Sequence, residues 1–352
     1  MCPTKRQVTT AARSHKEVRL QKGKIPPETL KKAVFRYLGA ENPDVILGPA
    51  LGVDGALVKV GGKVLISSMD PITGAEQRIG WLAVNVNAND VATFGVQPAF
   101  FTSCLLMPEK SSEKTVEKIC RQIDSAAKKL GIAVIGGHSE VTPELKRPVV
   151  VGCAMAVAEP GKYVTSGGSK PGDKLILTKG TGIEGTAILA TEKYGTLKKQ
   201  MDVSLLNSAK DFYDQISVVK EAVLAYNFGG VTAMHDPTEG GVAGGIHEMA
   251  DASGLGVKIF KNKIYVHPET KEICSFFKID PLQLISSGAL LISADPKSAE
   301  GIIRKLANNG IKAAVIGEFT EDPSSRVLVH DDGSVENLVR PISDHLWSAL
   351  ES

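Results

Sequence analysis

Residues 85–95 read NVNANDVATFG. Asn85, Asn87, Asn89 and Asp90 crowd into a run that otherwise has the character of a buried helix, with Ile79, Trp81, Leu82, Ala83 and Val84 before it and Val91, Ala92 and Phe94 after. Burying an amide or a carboxylate without a partner costs a few kcal/mol. A segment that does so repeatedly needs a reason. On a helix, Asn87 and Asp90 stand at i, i+3 and share a face. Asn85 and Asn89 point elsewhere, toward backbone partners or an interface between subunits.

Outward from this stretch, strands and helices alternate. The runs VILGPALGVDGALVKV and KVLISSMD are rich in β-formers and meet at the Gly61-Gly62 turn. PAFFTSCLLM, IAVIGGHSE (a strand running into a Gly turn) and PVVVGCAMAVA read as further strands. The spacing of Leu30, Val34 and Leu38 predicts a short helix over 28–38 ended by Gly39. Residues 111–131 give the clearest helix, capped by Ser111 or Ser112 and stopped by Gly131, with Val116, Ile119, Ile123, Ala127 and Leu130 as its buried stripe. The Gly/Pro/Ser-rich segment EPGKYVTSGGSKPGD marks a boundary, after which the alternation resumes through KLILTKGTGIEG, a helical 204–226, and TAMHDPTEGGVAGGIHEMADASG. The pattern predicts an α/β (α+β) protein of two domains, 25–160 and 165–352, preceded by a basic arm over 1–24.

That arm holds seven Lys/Arg and one acid, Glu17, so it carries +6 and leaves −4 for the rest of the chain. It reads as a solvated arm, or as a site for an anion or acidic partner. Nucleic-acid binding is disfavoured because no aromatic residue is interleaved in it. No apolar run approaches the ~20 residues of a membrane span. The five cysteines (Cys2, Cys104, Cys120, Cys153, Cys274) form no C-x-x-C pair, which argues against a structural zinc site and for a reduced, cytoplasmic setting.

The residues with chemistry are acids and amides beside glycine at strand ends: Asp54 in GVDGA, Asp70 ending LISSMD, Asn87 and Asp90, His138 and Glu140 after Gly136-Gly137, and Asp236 and Glu239 in HDPTEGG. Hard cations such as magnesium take carboxylate oxygens from a few such residues. Any one of these acids alone reads more readily as a turn or cap carboxylate; the case for a cation rests on their number and on the buried setting of Asp90. In KGTGIEGTAIL, Lys179, Gly180, Gly182 and Gly185 form a candidate phosphate loop, or a plain strand-to-helix turn. Asp236 or Thr238 can cap the following helix. Gly240, Gly241, Gly244 and Gly245 clear its first turns for a ligand or for tight packing. His235 and His247 are metal ligands or, lacking a partner at i+4, ordinary core or surface histidines.

In order, GVDGA, MDP, NANDVATFGVQP, GGHSEVT, TKGTGIEGTAIL, HDPTEGGVAGGIHEMADASGLGVKI, SSGALLIS and AVIGEF resemble the aminoimidazole ribonucleotide synthetase superfamily, over nearly all of residues 25–325. The branch they look most like is the HypE-like group of hydrogenase expression/formation proteins. The resemblance implies a two-domain fold that pairs its N-terminal sheets in a homodimer. It also implies ATP and magnesium between the domains, and phosphoryl transfer or ATP hydrolysis that activates a small-molecule acceptor of unknown identity. By match to the motifs, Asp54, Asp70 and Asp90 look like the magnesium and phosphate cluster. Asn87, His138 and the Lys179–Gly185 loop fall at cofactor positions, and Asp236 lies near the acceptor. The chain departs from HypE-type proteins in ending LWSALES rather than in a Pro-Arg-x-Cys tail. Carbamoyl chemistry on its own tail is therefore not expected. A non-catalytic maturation scaffold that binds nucleotide and a partner protein is the alternative.

Overall fold

The computed structural model describes residue 20 and residues 22–73 and 75–352. Cys2 and most of the basic arm lie outside them. The first half builds a sheet from β1 (Val45–Leu47), β2 (Ala56–Val60), β3 (Lys63–Ile72), β4 (Phe100–Met107), β5 (Ala133–Val141) and β6 (Val149–Ala158), in the order β1-β2-β3-β6-β4-β5. Every pairing is antiparallel except β4 with β5. The β2–β3 hairpin turns at Gly61 and Gly62, both at positive φ (53° and 81°), the requirement of a tight two-residue turn. Preceding the sheet is α1 (Pro27–Ala33); α2 (Ile79–Ala92) and α3 (Glu113–Leu130) cover it. The α3 helix has Ser112 as N-cap, accepting from the Thr115 N–H, and ends in left-handed Gly131.

The second half forms a seven-stranded sheet in the order β13-β12-β9-β11-β7-β10-β8. Its strands are β7 (Lys174–Thr178), β8 (Val231–His235), β9 (Gly256–Phe260), β10 (Leu291–Ala294), β11 (Ala313–Thr320), β12 (Arg326–Val329) and β13 (Val335–Asn337). Its helices are α4 (Ile183–Glu192), α5 (Tyr194–Leu197), α6 (Val203–Lys210), α7 (Val219–Phe228), α8 (Gly241–Ser253), α9 (Pro268–Phe277), α10 (Pro296–Ala307) and α11 (His345–Glu351). One apolar cluster runs from the first sheet through α2 into α4 and α7, so the halves share a core. No helix among the described residues is long and apolar enough to cross a membrane.

Three expectations need correction. The helix expected over 28–38 stops at Ala33 and buries nothing. Val34 and Leu38 are exposed, because no described surface packs against them. Gly136-Gly137 is not a turn: β5 continues to Val141, with a register shift opposite Phe101 and Thr102. A Cβ on Gly137 would lie 2.1 Å from the Ser103 carbonyl oxygen, so glycine is what lets the two strands approach. The helical run over 204–226 breaks into α6, a 3-10 turn at Asp211–Gln215 and α7. Side chains from elsewhere hold the break, as described next.

One face of the first sheet is bare. Met69, Phe100 and Val157 point outward, and the edge strand β5 is exposed along its whole length, including Val134, Ile135 and Val141.

Candidate active site

The α2 helix is buried at every residue, and each of its polar groups has a distinct partner. Asn85 donates to the Trp81 carbonyl one turn back (2.8 Å). Asn87 clamps β3: its Oδ1 accepts from the Asp70 N–H (2.7 Å), while its Nδ2 donates to the carbonyls of Ala83 (2.8 Å) and Asp70 (3.3 Å). Gly152 on β6 makes room, since a Cβ there would sit 2.5 Å from Asn87 Nδ2. Asn89 reaches into the second half, donating to the Ile216 carbonyl and accepting from the Val218 N–H, both at 2.8 Å. Asp90 accepts from the Ser68 hydroxyl (2.7 Å) and faces other carboxylates.

Those carboxylates come from separate elements. Asp54 lies in the loop before β2, Asp70 inside β3, and Asp236 directly after β8. Ligand atoms of Asp54, His235 and Asp236 all fall within 4.8 Å of one another. Burial first, then Asp236, Asp70 and Asp54, push Asp90 well above the ordinary carboxylate range. Burial and then Asp54 push Asp236 up to about 7, and burial raises Asp70. Among the described residues, neither oxygen of Asp236 has a hydrogen-bond partner, although both are buried. Buried, mutually repelling carboxylates with unspent oxygens fit a hard divalent cation and its phosphate ligands.

His235 is neither an isolated metal ligand nor an ordinary core histidine. Its Nδ1 lies 2.6 Å from Asp54 Oδ1 and its Nε2 lies 2.8 Å from Glu248 Oε2. Burial alone would depress its pKa, but Asp54 and Glu248 reverse this and raise it well above the ordinary value. The imidazolium therefore fixes the orientation of Asp54. Glu248 is held down at about 2, against its burial, by Lys24 and His235. Lys24 ends the basic arm and lies across the site. Its N–H donates to Glu239 Oε2 (2.7 Å), and its Nζ is 3.5 Å from Glu248 Oε1. Beside it, Lys22 pairs with Glu351 on α11. Glu248 chiefly, then Asp70, Asp54 and Asp90, raise the Lys24 pKa against its desolvation. At 55% exposure, however, Lys24 is screened by water and adds little stability.

The candidate phosphate loop is a packing feature. Lys179 Nζ donates to the carbonyls of Gln215 and Ser217 and pairs with Glu221, all at 2.8 Å. It closes, together with Asn89, the break between the 3-10 turn and α7. The amides of Gly180, Gly182 and Gly185 donate to the Thr178 carbonyl, the Ser286 hydroxyl and the Ile285 carbonyl. A Cβ on Gly185 would strike Leu284 at 2.4 Å. No N–H of these three glycines is left for an anion. Asn87 likewise acts on β3 rather than on a ligand. His138 does not join the cluster within one chain. It lies on β5, 66% exposed and bonded to Glu140 (3.2 Å), three strands from β3, or about 14 Å at ~4.8 Å per strand.

Neither Asp236 nor Thr238 caps α8 with its side chain. Gly240 is the N-cap at φ 86°, and its N–H donates to Asp344 Oδ2 (2.7 Å). The glycines of this turn serve packing: a Cβ on Gly241 would meet the carbonyls of Leu282 and Leu284 at 2.5 and 2.6 Å. His247, buried, bonds the Leu338 carbonyl and Arg326.

Beside the cluster opens a cavity of about 530 Å³. Asp70, Ile72 and Val86 line it from the first half of the chain and Glu184, Ser287, Asp344 and Trp347 from the second, together with Lys22 to Lys24. Burial pushes Glu184 and Asp344 each up to about 7. Sequence reasoning passed over Lys24, Glu248 and Glu184. For Glu184 the signal was present: one acid among Ile183, Ala187 and Ile188, the same anomaly that marks Asp90. Lys24 offered none beyond being the last charge of the arm.

The comparisons agree with this architecture. Residues 52–158 match the family model for the N-terminal domain of AIR synthase related proteins, and residues 170–330 match the model for their C-terminal domain. A hydrogenase expression/formation protein of Methanocaldococcus jannaschii is 26% identical over 315 residues, spanning 87% of this chain and 91% of the relative. The carbamoyl dehydratase HypE of Rhizobium leguminosarum is 25% identical over 270 residues, 74% of this chain and 75% of its own. Two solved structures share the fold. HypE in complex with ATP has a TM-score of 0.70 at 20% identity, with coverage of 93% and 97%. The HypE–HypF complex has a TM-score of 0.70 at 22% identity, with coverage of 82% and 93%. With both domain models matched in order, the chain belongs to the AIR synthase related family, and its relatives place it on the HypE-like branch.

Proposed function

We propose that this chain is a magnesium-dependent, ATP-using enzyme that passes the γ-phosphoryl group to a small-molecule acceptor, or hydrolyses ATP to activate one. Its domains are 25–160 and 165–352, and it works as a cytoplasmic homodimer. The observation that carries the reading is the cluster of buried carboxylates in which Asp236, Asp70 and Asp54 all act on Asp90, with Asp54 and Asp236 offering oxygens within 4.8 Å of each other and neither Asp236 oxygen accepting from a donor among the described residues. ATP in the solved structure of a HypE relative supports it.

Asp54, Asp70 and Asp90 would hold the cation, which when bound neutralises phosphate charge and polarises the transferred group. The chain's own groups do the positioning: His235 orients Asp54, Asn87 pins the backbone at Asp70, and Ser68 holds Asp90. The Lys24 ammonium supplies positive charge at the cavity. Asp236, balanced near neutral pH, receives the acceptor's proton. Burial pushes the Cys274 thiol up to about 12, which keeps it in the weakly nucleophilic thiol form.

The test is calorimetry with a non-hydrolysable ATP analogue and magnesium. Asp90→Asn is expected to lose magnesium-dependent binding while its unfolding midpoint holds or rises, because a repelled buried charge has been removed. Unchanged affinity would sink the assignment. A non-catalytic maturation scaffold is the second reading, favoured by the HypE–HypF complex among the fold's neighbours. Steady ATP hydrolysis stimulated by an acceptor excludes it.

A further inference from the structure

The cavity beside the carboxylate cluster holds polar atoms that the protein does not use. Glu184, only 4% exposed, has an Oε2 with no hydrogen-bond partner among the described residues. The Ser287 hydroxyl, which lies close enough to Glu184 to favour its charged form, and the Trp347 indole N–H likewise have no well-aligned partner among the described residues, and all three residues line the cavity. A buried carboxylate oxygen without a partner costs more than most single interactions contribute, so its retention at a cavity wall points to a ligand that satisfies it.

The charges around it give the ligand's sign. Lys22 and Lys24 are engaged by Glu351, Glu239 and Glu248. Arg147 is exposed at the rim. Asp344 accepts from the Gly240 and Leu346 amides but keeps its carboxyl group in the wall. The interior is thus acidic, while Ile72, Val86 and Ile188 make the rest of it apolar. An anionic group pushed against Glu184 and Asp344 would be repelled in a poorly solvated setting. A nitrogen carrying N–H donors would be attracted.

We propose that this cavity is the acceptor subsite, and that it takes a compact, flat molecule whose cationic or amino nitrogen is held by Glu184, with Ser287 and the Trp347 N–H as further hydrogen-bonding partners. The volume suits a small molecule of this kind. The assignment rests on the nucleotide reading above, which places the phosphoryl donor at the adjoining carboxylates.

Benzamidine and benzoate are nearly isosteric probes of opposite charge, and the full chain is titrated with each by calorimetry, with the ATP analogue and magnesium present. Benzamidine is expected to bind at least tenfold more tightly than benzoate. Glu184→Gln, which keeps the side chain's shape, is expected to lose at least tenfold in benzamidine affinity with no change in affinity for the analogue or in unfolding midpoint. Equal or tighter binding of benzoate overturns the proposal, as does benzamidine binding that Glu184→Gln leaves unchanged. Displacement of benzamidine by the ATP analogue overturns it too, since the cavity would then belong to the nucleotide. If the analogue fails to bind while benzamidine selectivity and its dependence on Glu184 persist, the nucleotide reading falls and the cavity's preference for a nitrogen cation stands.

Discussion

Within Asn85, Asn87, Asn89 and Asp90, four polar groups on one buried helix have four different employments. Asn85 caps its own preceding turn, Asn87 pins a strand, Asn89 spans the two halves, and Asp90 alone faces the carboxylates. Helical spacing separated Asp90 from Asn85 and Asn89, because phase on a helix is fixed by sequence. It could not identify the partners of Asn89, which lie some 127 to 129 positions away. Asn89→Ala is expected to destabilise the protein by about 2–6 kcal/mol, since it leaves a buried carbonyl and a buried N–H unpaired at about 1–3 kcal/mol each. Urea denaturation measures this directly, and a loss below about 0.5 kcal/mol would show that the two groups find other partners.

At the scale of the element, Lys179 to Gly185 and α8 show why a glycine-rich turn is ambiguous. Whether its amides are free for a phosphate depends on what packs over it, and Ile285 and Ser286 are a hundred residues downstream. The acids of the site were legible because a carboxylate inside an apolar run is anomalous wherever the chain goes. The α8 helix also carries a titration that can be measured. Burial first, and then Arg340, depress His247 to about 4. The unfolded chain binds a proton near 6.5 and the folded chain does not, so His247 contributes no penalty above pH ~6.5. Stability then falls as the pH drops from 6.5 toward 4, by up to about 3 kcal/mol. Replacing His247 with Gln is expected to flatten that segment of the stability–pH curve. An unaltered slope would show that His247 titrates normally in the fold.

For the whole molecule, the bare face of the first sheet matters most. Met69, Phe100 and Val157 are exposed on it together rather than singly, and the β5 edge beside them, exposed along its whole length including Ile135, offers unpaired backbone groups. If two copies cover this face, sedimentation at micromolar concentration gives a dimer for the natural chain and a monomer for Ile135→Asp, with the monomer still folded. A natural chain that sediments as a monomer would sink the homodimer. The two-domain α/β architecture was legible from the alternation of strands and helices. The strap of Lys22 to Lys24 was not, because its contacts, Glu239, Glu248 and Glu351, belong to the far end of the sequence.

Asn89 sits next to Asp90. One residue of α2 is bolted to the second half of the molecule, and its neighbour faces the carboxylates. Prising the halves apart at α2 would break two buried hydrogen bonds and drag Asp90 out of register with them. The strap is tied by two ion pairs at exposed ammonium groups, Lys22–Glu351 and Lys24–Glu248, each contributing roughly 0–1 kcal/mol, and by one hydrogen bond from the Lys24 main-chain N–H to Glu239. Traffic into and out of the site therefore has a hard wall and a soft door. Salt screens the two ion pairs of the strap and leaves the buried hydrogen bonds of Asn89 intact, so ligand exchange is expected to quicken with ionic strength while the geometry of the carboxylates holds.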